Sequence, residues 1–151
     1  MRALGAWSRA NLGGTRSTQQ AISLLRANPG PRVALPWRWI GPEGIKREFR
    51  EGELQDLIKR ASIRTIPIES LVGAQHTVKS NRVESYIRKP QLIPKGSTSP
   101  GGWPIDLPIC MHWEGQNVLW DGNHRSFAQM LLGHETIRVR YVDLDAATDR
   151  A

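Results

Sequence analysis

Between Asn117 and Leu132 the apolar period of the chain changes within three residues. Asn117–Trp120 reads as an extended strand, Asp121-Gly122-Asn123 breaks it, and His124–Leu132 carries Phe127, Met130 and Leu131 at i, i+3 and i+4, the spacing of one buried helix face. Gly133 stands where a helix usually stops. A strand that hands over to a helix through a glycine turn requires a helical layer against a sheet.

The same junction carries chemistry. The first N–H groups of a helix lack backbone partners and point outward with the positive end of the helix dipole. Gly122 would let the backbone approach a ligand with no Cβ between them. Arg125 is a bidentate donor matched to phosphate oxygens, and Asn123, His124 and Ser126 add neutral or switchable donors. Together they suit an anion cradle for the phosphates of a nucleotide. Asp121 is the one acid there; it would hold a magnesium ion bridging phosphates or take a proton from an attacking hydroxyl, which makes Asp121, His124 and Arg125 the catalytic candidates. An ordinary turn with an Asp or Asn helix cap explains the same letters, and spacing alone does not separate the two.

Upstream, Arg64-Thr65-Ile66-Pro67-Ile68 reads as a short strand whose proline suits an edge or a strand end, and Ser70–Gln75 as a turn. Asn81–Lys89 reads as a helix with Val83, Tyr86 and Ile87 on one face. The Pro/Gly/Ser-rich run Pro90–Pro104 has the length of a lid, a binding loop or a disordered segment, with Trp103 placed to stack on a base and Lys95 to steer phosphate. Ile105–Trp113 and Asn117–Trp120 form a hairpin about Glu114-Gly115-Gln116, and Ile137, Val139 and Tyr141 alternate with Arg138 and Arg140 as a last half-buried strand. The order is β-α-β-β-α-β, an α+β domain with helices on a small mixed sheet. A helix over Lys46–Ala61, with Phe49, Leu54, Leu57 and Ile58 facing one way, packs onto it. The domain is therefore taken as residues 46–151, and 1–45 as a basic, partly helical or flexible N-terminal extension.

The net charge of +7 matters less than its placement. Residues 1–64 hold twelve Lys/Arg against five acids, whereas residues 65–151 hold nine of each sign, so attraction for a polyanion such as DNA belongs to the N-terminal part. Arg38, Lys46 and Arg47 are the nucleic-acid-binding candidates. In Leu35-Pro36-Trp37-Arg38-Trp39-Ile40-Gly41-Pro42 the interleaved Trp and Arg suit base stacking, or a hydrophobic strap tucked onto the domain. Residues 1–33 contain five arginines and no acid, which reads as an ordered basic helix or a flexible arm, with Ile22, Leu24 and Leu25 on one stripe of Thr18–Asn28; an organelle transit peptide is the alternative. No apolar run reaches the roughly 18–20 residues that span a bilayer, so no membrane partner and a cytoplasmic setting are expected. The lone Cys110 excludes an internal disulfide and a cysteine-built zinc site.

Over residues 65–145 the segments resemble the ParB/sulfiredoxin superfamily, often labelled ParB-like nuclease. The resemblance runs through Ile66-Pro67-Ile68-Glu69-Ser70-Leu71-Val72, Gln75-His76-Thr77-Val78, Val83-Glu84-Ser85-Tyr86-Ile87, Pro104-Ile105-Asp106-Leu107, Asp121-Gly122-Asn123-His124-Arg125 and Gly133-His134-Glu135-Thr136-Ile137-Arg138-Val139. It implies a nucleoside triphosphate with magnesium at the Asp121–Ser126 loop, with Gln75 and His76 on the turn that faces the nucleotide. It further implies a nucleic-acid-associated role with nuclease or hydrolytic activity. Asn123 occupies the place where sulfiredoxins carry a reactive cysteine, which argues against sulfinic-acid reduction. Partitioning ParB proteins have two arginines at the cradle and a following helix-turn-helix; the His124-Arg125 pair and the few residues after Asp145 do not fit a full partitioning clamp. Asp-Gly-x-His-Arg is nearer to small ATP- or ADP-using kinases of the superfamily. An alternative is thus a phosphotransferase acting on a hydroxyl compound or a protein, with Asp121 or Glu69 as base; a non-catalytic DNA- or partner-binding module is another.

Overall fold

The computed structural model describes residues 15–27, 29–89 and 106–149. In chain order the elements are α1 (Thr18–Arg26), β1 (Arg32–Ala34), β2 (Arg38–Trp39), α2 (Glu43–Glu48), α3 (Glu51–Lys59), β3 (Ser62–Pro67), β4 (Leu71–Gly73), β5 (Thr77–Lys79), α4 (Ser80–Arg88), β6 (Ile109–Trp113), β7 (Gln116–Asp121), α5 (Asn123–Leu131), β8 (Thr136–Asp143) and α6 (Leu144–Asp149). Six strands form one mixed sheet in the order β2-β4-β7-β6-β8-β3, and β1 pairs with β5 in a separate antiparallel ribbon. Strands β2, β4 and β7 run parallel, β6 is antiparallel to β7 and parallel to β8, and β3 closes the far edge antiparallel to β8.

Alternation along the strands sends side chains to two cores, one on each face of the sheet. Cys110, Leu119, Ile137 and Val139 face α1, α4 and α5, burying Ile22, Leu25, Val83, Ile87, Phe127 and Leu131. Ile109, Met111, Val118 and Val142 face α2, α3 and α6, burying Ile45, Phe49, Leu54, Ile58 and Leu144. The molecule is thus a mixed α+β fold with helices on both faces of a mixed sheet. Cys110 lies fully buried on β6, and burial pushes its thiol up to about 12, so it is a packing residue. Among the described residues no helix is long and apolar enough to cross a membrane.

Helix α1 is no free arm. Ser17 caps it: its hydroxyl accepts from the Gln20 N–H at 3.1 Å, and the Gln20 side chain accepts from the Ser17 N–H at 2.9 Å. Ile22, 1% exposed, docks it into the first core, and Arg26 pairs with Glu84 of α4 at 3.1 Å. The Leu35–Pro42 segment is a strap in part, with Leu35 buried and Trp37 edge-on to Phe127 at 6.3 Å, whereas Trp39 stays exposed.

Three elements differ from expectation. The helix expected over 46–61 is two, because the chain becomes extended at Phe49 (φ −128°, ψ 129°) so that this ring enters the second core. Helix α3 then starts anew, with the Arg50 N–H held by the Glu53 carboxylate at 3.0 Å. The segment expected as a turn at Ser70–Gln75 contains β4, whose Leu71, Val72 and Gly73 are all buried; an interior parallel strand has no polar face and therefore no alternation to read. The last strand runs on to Asp143 and is followed by α6, where the Asp143 carboxylate accepts from the Ala146 N–H at 3.0 Å. The sequence assigned no helix there.

Truncating Ile22 to Ala leaves a cavity between α1, α4 and α5, and the urea-unfolding free energy falls by about 2–4 kcal/mol. A loss below about 0.5 kcal/mol would mean that α1 is not docked.

Candidate functional site

Strands β4 and β7 are adjacent and parallel, so Ala74-Gln75 and Asp121-Gly122 emerge side by side from their carboxyl ends. In open α/β sheets that is where ligands bind. Here a cavity of about 340 Å³ is bounded by Gln75, by Arg82 and Tyr86 of α4, by Leu107-Pro108 ahead of β6, and by residues 121–125. The fold therefore brings Gln75, Asp121, Gly122, Asn123, His124 and Arg125 to one place.

Gly122 adopts φ 86°, a left-handed conformation, and a Cβ there would sit 2.7 Å from the Cα of Pro108. It is the protein's own backbone that demands glycine, not the close approach of a ligand anticipated from the sequence. Asp121 is exposed and accepts the Gly122 N–H at 2.8 Å. The first intrahelical bond of α5 is Ser126 N–H to Gly122 C=O at 2.9 Å, so the amides of Asn123, His124 and Arg125 precede the ladder.

Arg125 is only 8% exposed. Its Nη2 donates to the Asp106 carbonyl at 2.7 Å, and its Nε has no partner among the described residues. Burial lowers its pKa, opposed by Tyr86 and Asp106, and a guanidinium stays charged throughout the ordinary pH range. Asp106 is itself clamped by Arg140 through two bonds of 2.8 Å, which hold its carboxyl below the usual range. Asn123, 3% exposed, donates to Gln75 Oε1 at 3.4 Å while its own Oδ1 is unpartnered among the described residues; Gln75 in turn donates to the Thr77 carbonyl at 2.6 Å.

Of the neutral and switchable donors that the sequence allows at His124, the surroundings favour the neutral one. Its Nε2 accepts the Lys79 N–H, at the N-terminus of α4, at 3.0 Å. Burial, aided by Arg82, Arg32 and Lys79, lowers its pKa to about 4, so the ring is neutral at pH 7 with its proton on Nδ1. Ser126, expected as a phosphate ligand, is fully buried and does not line the cavity.

Other candidates lie elsewhere. Arg38 bonds Gln116 Oε1 at 2.7 Å on the sheet edge, and Lys46 and Arg47 are exposed on α2. His76 stacks on Trp39, with ring centroids 4.0 Å apart, and does not line the cavity; neither does the exposed Glu69. The Pro90–Pro104 loop with Lys95 and Trp103 lies outside the described residues, as does the stretch before Thr15. Sequence reasoning missed the Asp106–Arg140 clamp and the Pro108 wall: the clamp joins residues 34 apart, and no local pattern announces it. Among the described residues Asp121 is the only acid lining the cavity, and no three His, Cys, Asp or Glu side chains gather as a metal site.

A larger cavity, about 690 Å³, lies between α1 and α4. Among the described residues no buried unpartnered polar group lines it, whereas Arg125 and Asn123 line the smaller one. The chemistry therefore favours the smaller. No family model, curated protein or solved structure matches this chain.

Two outcomes follow. Gly122→Ala is strained at its φ and meets Pro108, so stability drops by more than about 1 kcal/mol in urea unfolding. A histidine held neutral in the fold takes up its proton more readily once unfolded, so its contribution is complete above about pH 6.5 and declines as pH falls toward 4. The melting temperature therefore falls across that window, and His124→Gln, which does not titrate, flattens the decline; an unchanged slope in the variant would contradict the neutral assignment.

Proposed function

We propose that the protein binds a nucleoside triphosphate, or another phosphorylated ligand, in the cavity at the carboxyl ends of β4 and β7. One observation carries the reading: Arg125 lines that cavity as a nine-tenths buried guanidinium whose Nε lacks a partner among the described residues, beside the amides that open α5. A buried donor left unpaired costs about 1–3 kcal/mol, a cost that an anionic oxygen removes. Arg82 adds positive charge across the cavity, and the Asn123 amide adds an acceptor for a hydroxyl or amine of the ligand. Leu107, Pro108 and Tyr86 supply apolar walls of the kind small-molecule sites use.

The proposal agrees with the resemblance to the ParB/sulfiredoxin superfamily, whose loop corresponds to Asp121–Ser126, and it modifies the roles. His124 acts as a neutral donor through Nδ1 and as an acceptor for the N-terminus of α4, and Ser126 is a packing residue. Asp121 would hold magnesium only together with phosphate oxygens, since one carboxylate suffices for an ion that keeps most of its waters. When bound, that ion supplies charge neutralisation between phosphate groups. Asp121, the one acid among the described lining residues, does not favour two-metal nucleic-acid cleavage, so binding is proposed ahead of nuclease activity.

Titration calorimetry with ATP, ADP, CTP and GTP, with and without magnesium, tests it. We expect saturable binding of at least one nucleotide by the parent, a loss of more than ten-fold in Arg125→Met at unchanged fold by circular dichroism, and partial recovery in Arg125→Lys. Asp121→Asn removes the magnesium enhancement and leaves metal-free binding intact. Absence of heat with all four nucleotides and with inorganic triphosphate would overturn the reading.

A further inference from the structure

The exposed Trp39–His76 stack is not used by the cavity, and its surroundings are electrostatically one-sided. Two stretches of the chain, residues 27–42 and 70–83, contain no acid. The fold places them together: they supply β1, β2, β4, β5 and the first turn of α4. In the β1–β5 ribbon Arg32 lies opposite Lys79 and Ala34 opposite Thr77, with Val33 and Val78 turned into the core. The ribbon's outer face thus carries Arg32, Thr77 and Lys79. One residue beyond the ribbon the Leu35 N–H bonds the His76 carbonyl at 3.0 Å, and the His76 ring covers Trp39, at 4.0 Å and 29° between planes. Arg38 precedes Trp39 on β2, so its side chain leaves the opposite face, towards Gln116.

The result is a stripe running from Lys79 and Arg32 through His76 to Trp39. Arg32 is held by a neutral acceptor, donating to Thr77 Oγ1 at 2.7 Å. Among the described residues neither Arg32 nor Lys79 pairs with a carboxylate. The field of Arg32 and Lys79 reaches His124, contributing to its low pKa. Trp39 is 44% exposed, an unusual place for an indole, and Glu43, whose carboxylate reaches over Gly41, bounds the far end.

We propose that this surface binds single-stranded nucleic acid, with bases stacking on Trp39 and His76 and with Arg32 and Lys79 on the phosphates. Cations without carboxylate partners beside an exposed aromatic platform recognise this polymer, because each base offers a π-face and each linkage a charge. In a duplex the faces are already stacked, so the platform selects single strands. The surface shares no lining residue with the nucleotide cavity.

Fluorescence anisotropy with labelled 12-mers tests it: dT12, rU12, an abasic 12-mer of equal charge, and a 12-base-pair duplex. Expected is about ten-fold tighter binding of dT12 or rU12 than of the abasic strand or the duplex. Trp39→Ala abolishes that preference while leaving abasic binding unchanged, and Trp39→Phe restores most of it. Trp39 is exposed, so the melting temperature stays within a few degrees of the parent. Arg32→Gln and Lys79→Gln weaken every single strand and lower the salt slope by about 0.7 for each cation removed. Equal binding of the abasic strand and dT12, of duplex and dT12, or no effect of Trp39→Ala would overturn the proposal.

Discussion

A guanidinium taken out of water must be met by acceptors or it costs several kcal/mol, and Arg125 organises its surroundings on that condition. Its Nη2 reaches the Asp106 carbonyl, whose position is set by the two bonds between the Asp106 carboxylate and Arg140 on β8. Arg140 also donates its own N–H to the Pro108 carbonyl at 2.9 Å. The segment 106–108 is thereby tied both to the central sheet and to the start of α5, and Pro108 closes on Gly122. The contact leaves no room for a Cβ. Helix α5 begins where it does because of this closure, and the cavity is the space that remains beside it.

The layered arrangement explains why one end of the sheet became the polar end. With helices on both faces, the central strands bury Leu71–Gly73, Ile109–Met111 and Val118–Leu119, and the polar groups of β4 and β7 gather where those strands finish. Parallel β4 and β7 finish at the same end, so Gln75 and Asp121 to Arg125 meet although they are far apart in the chain. His124 joins this end to α4 by accepting the Lys79 N–H, so the starts of two helices share one neutral imidazole among cations. The acid-free ribbon of β1 and β5 continues the same positive surface outward to Trp39.

Much of this was legible in the sequence where a pattern is local. The strand-to-helix junction, the 116–121 hairpin strand, the half-buried last strand and the amphipathic 80–88 helix all show a period of two or near four, and they were found within a residue or two. Strand β4 was not, since a three-residue run buried on both faces has no period. The split at Phe49 was not, since the gain comes from a core on the other side of the molecule. Among site residues, Asp121 to Arg125 stand out as a cluster, whereas the surroundings of Gly122, His124 and Ser126 are not legible in the sequence: each depends on what packs opposite.

The amino-acid sequence by itself determined the α+β class, the place of the junction at Asp121–Arg125 and the confinement of excess positive charge to the first 64 residues, because periodicity, turn chemistry and charge are properties of neighbours in the chain. Only the tertiary structure decided that α1 is a core helix, that Gly122 answers to Pro108, that His124 is neutral and that Arg125 is buried with a donor unmet. Those facts are set by burial and by partners tens of residues away, and desolvation acts on a side chain only once the fold has enclosed it.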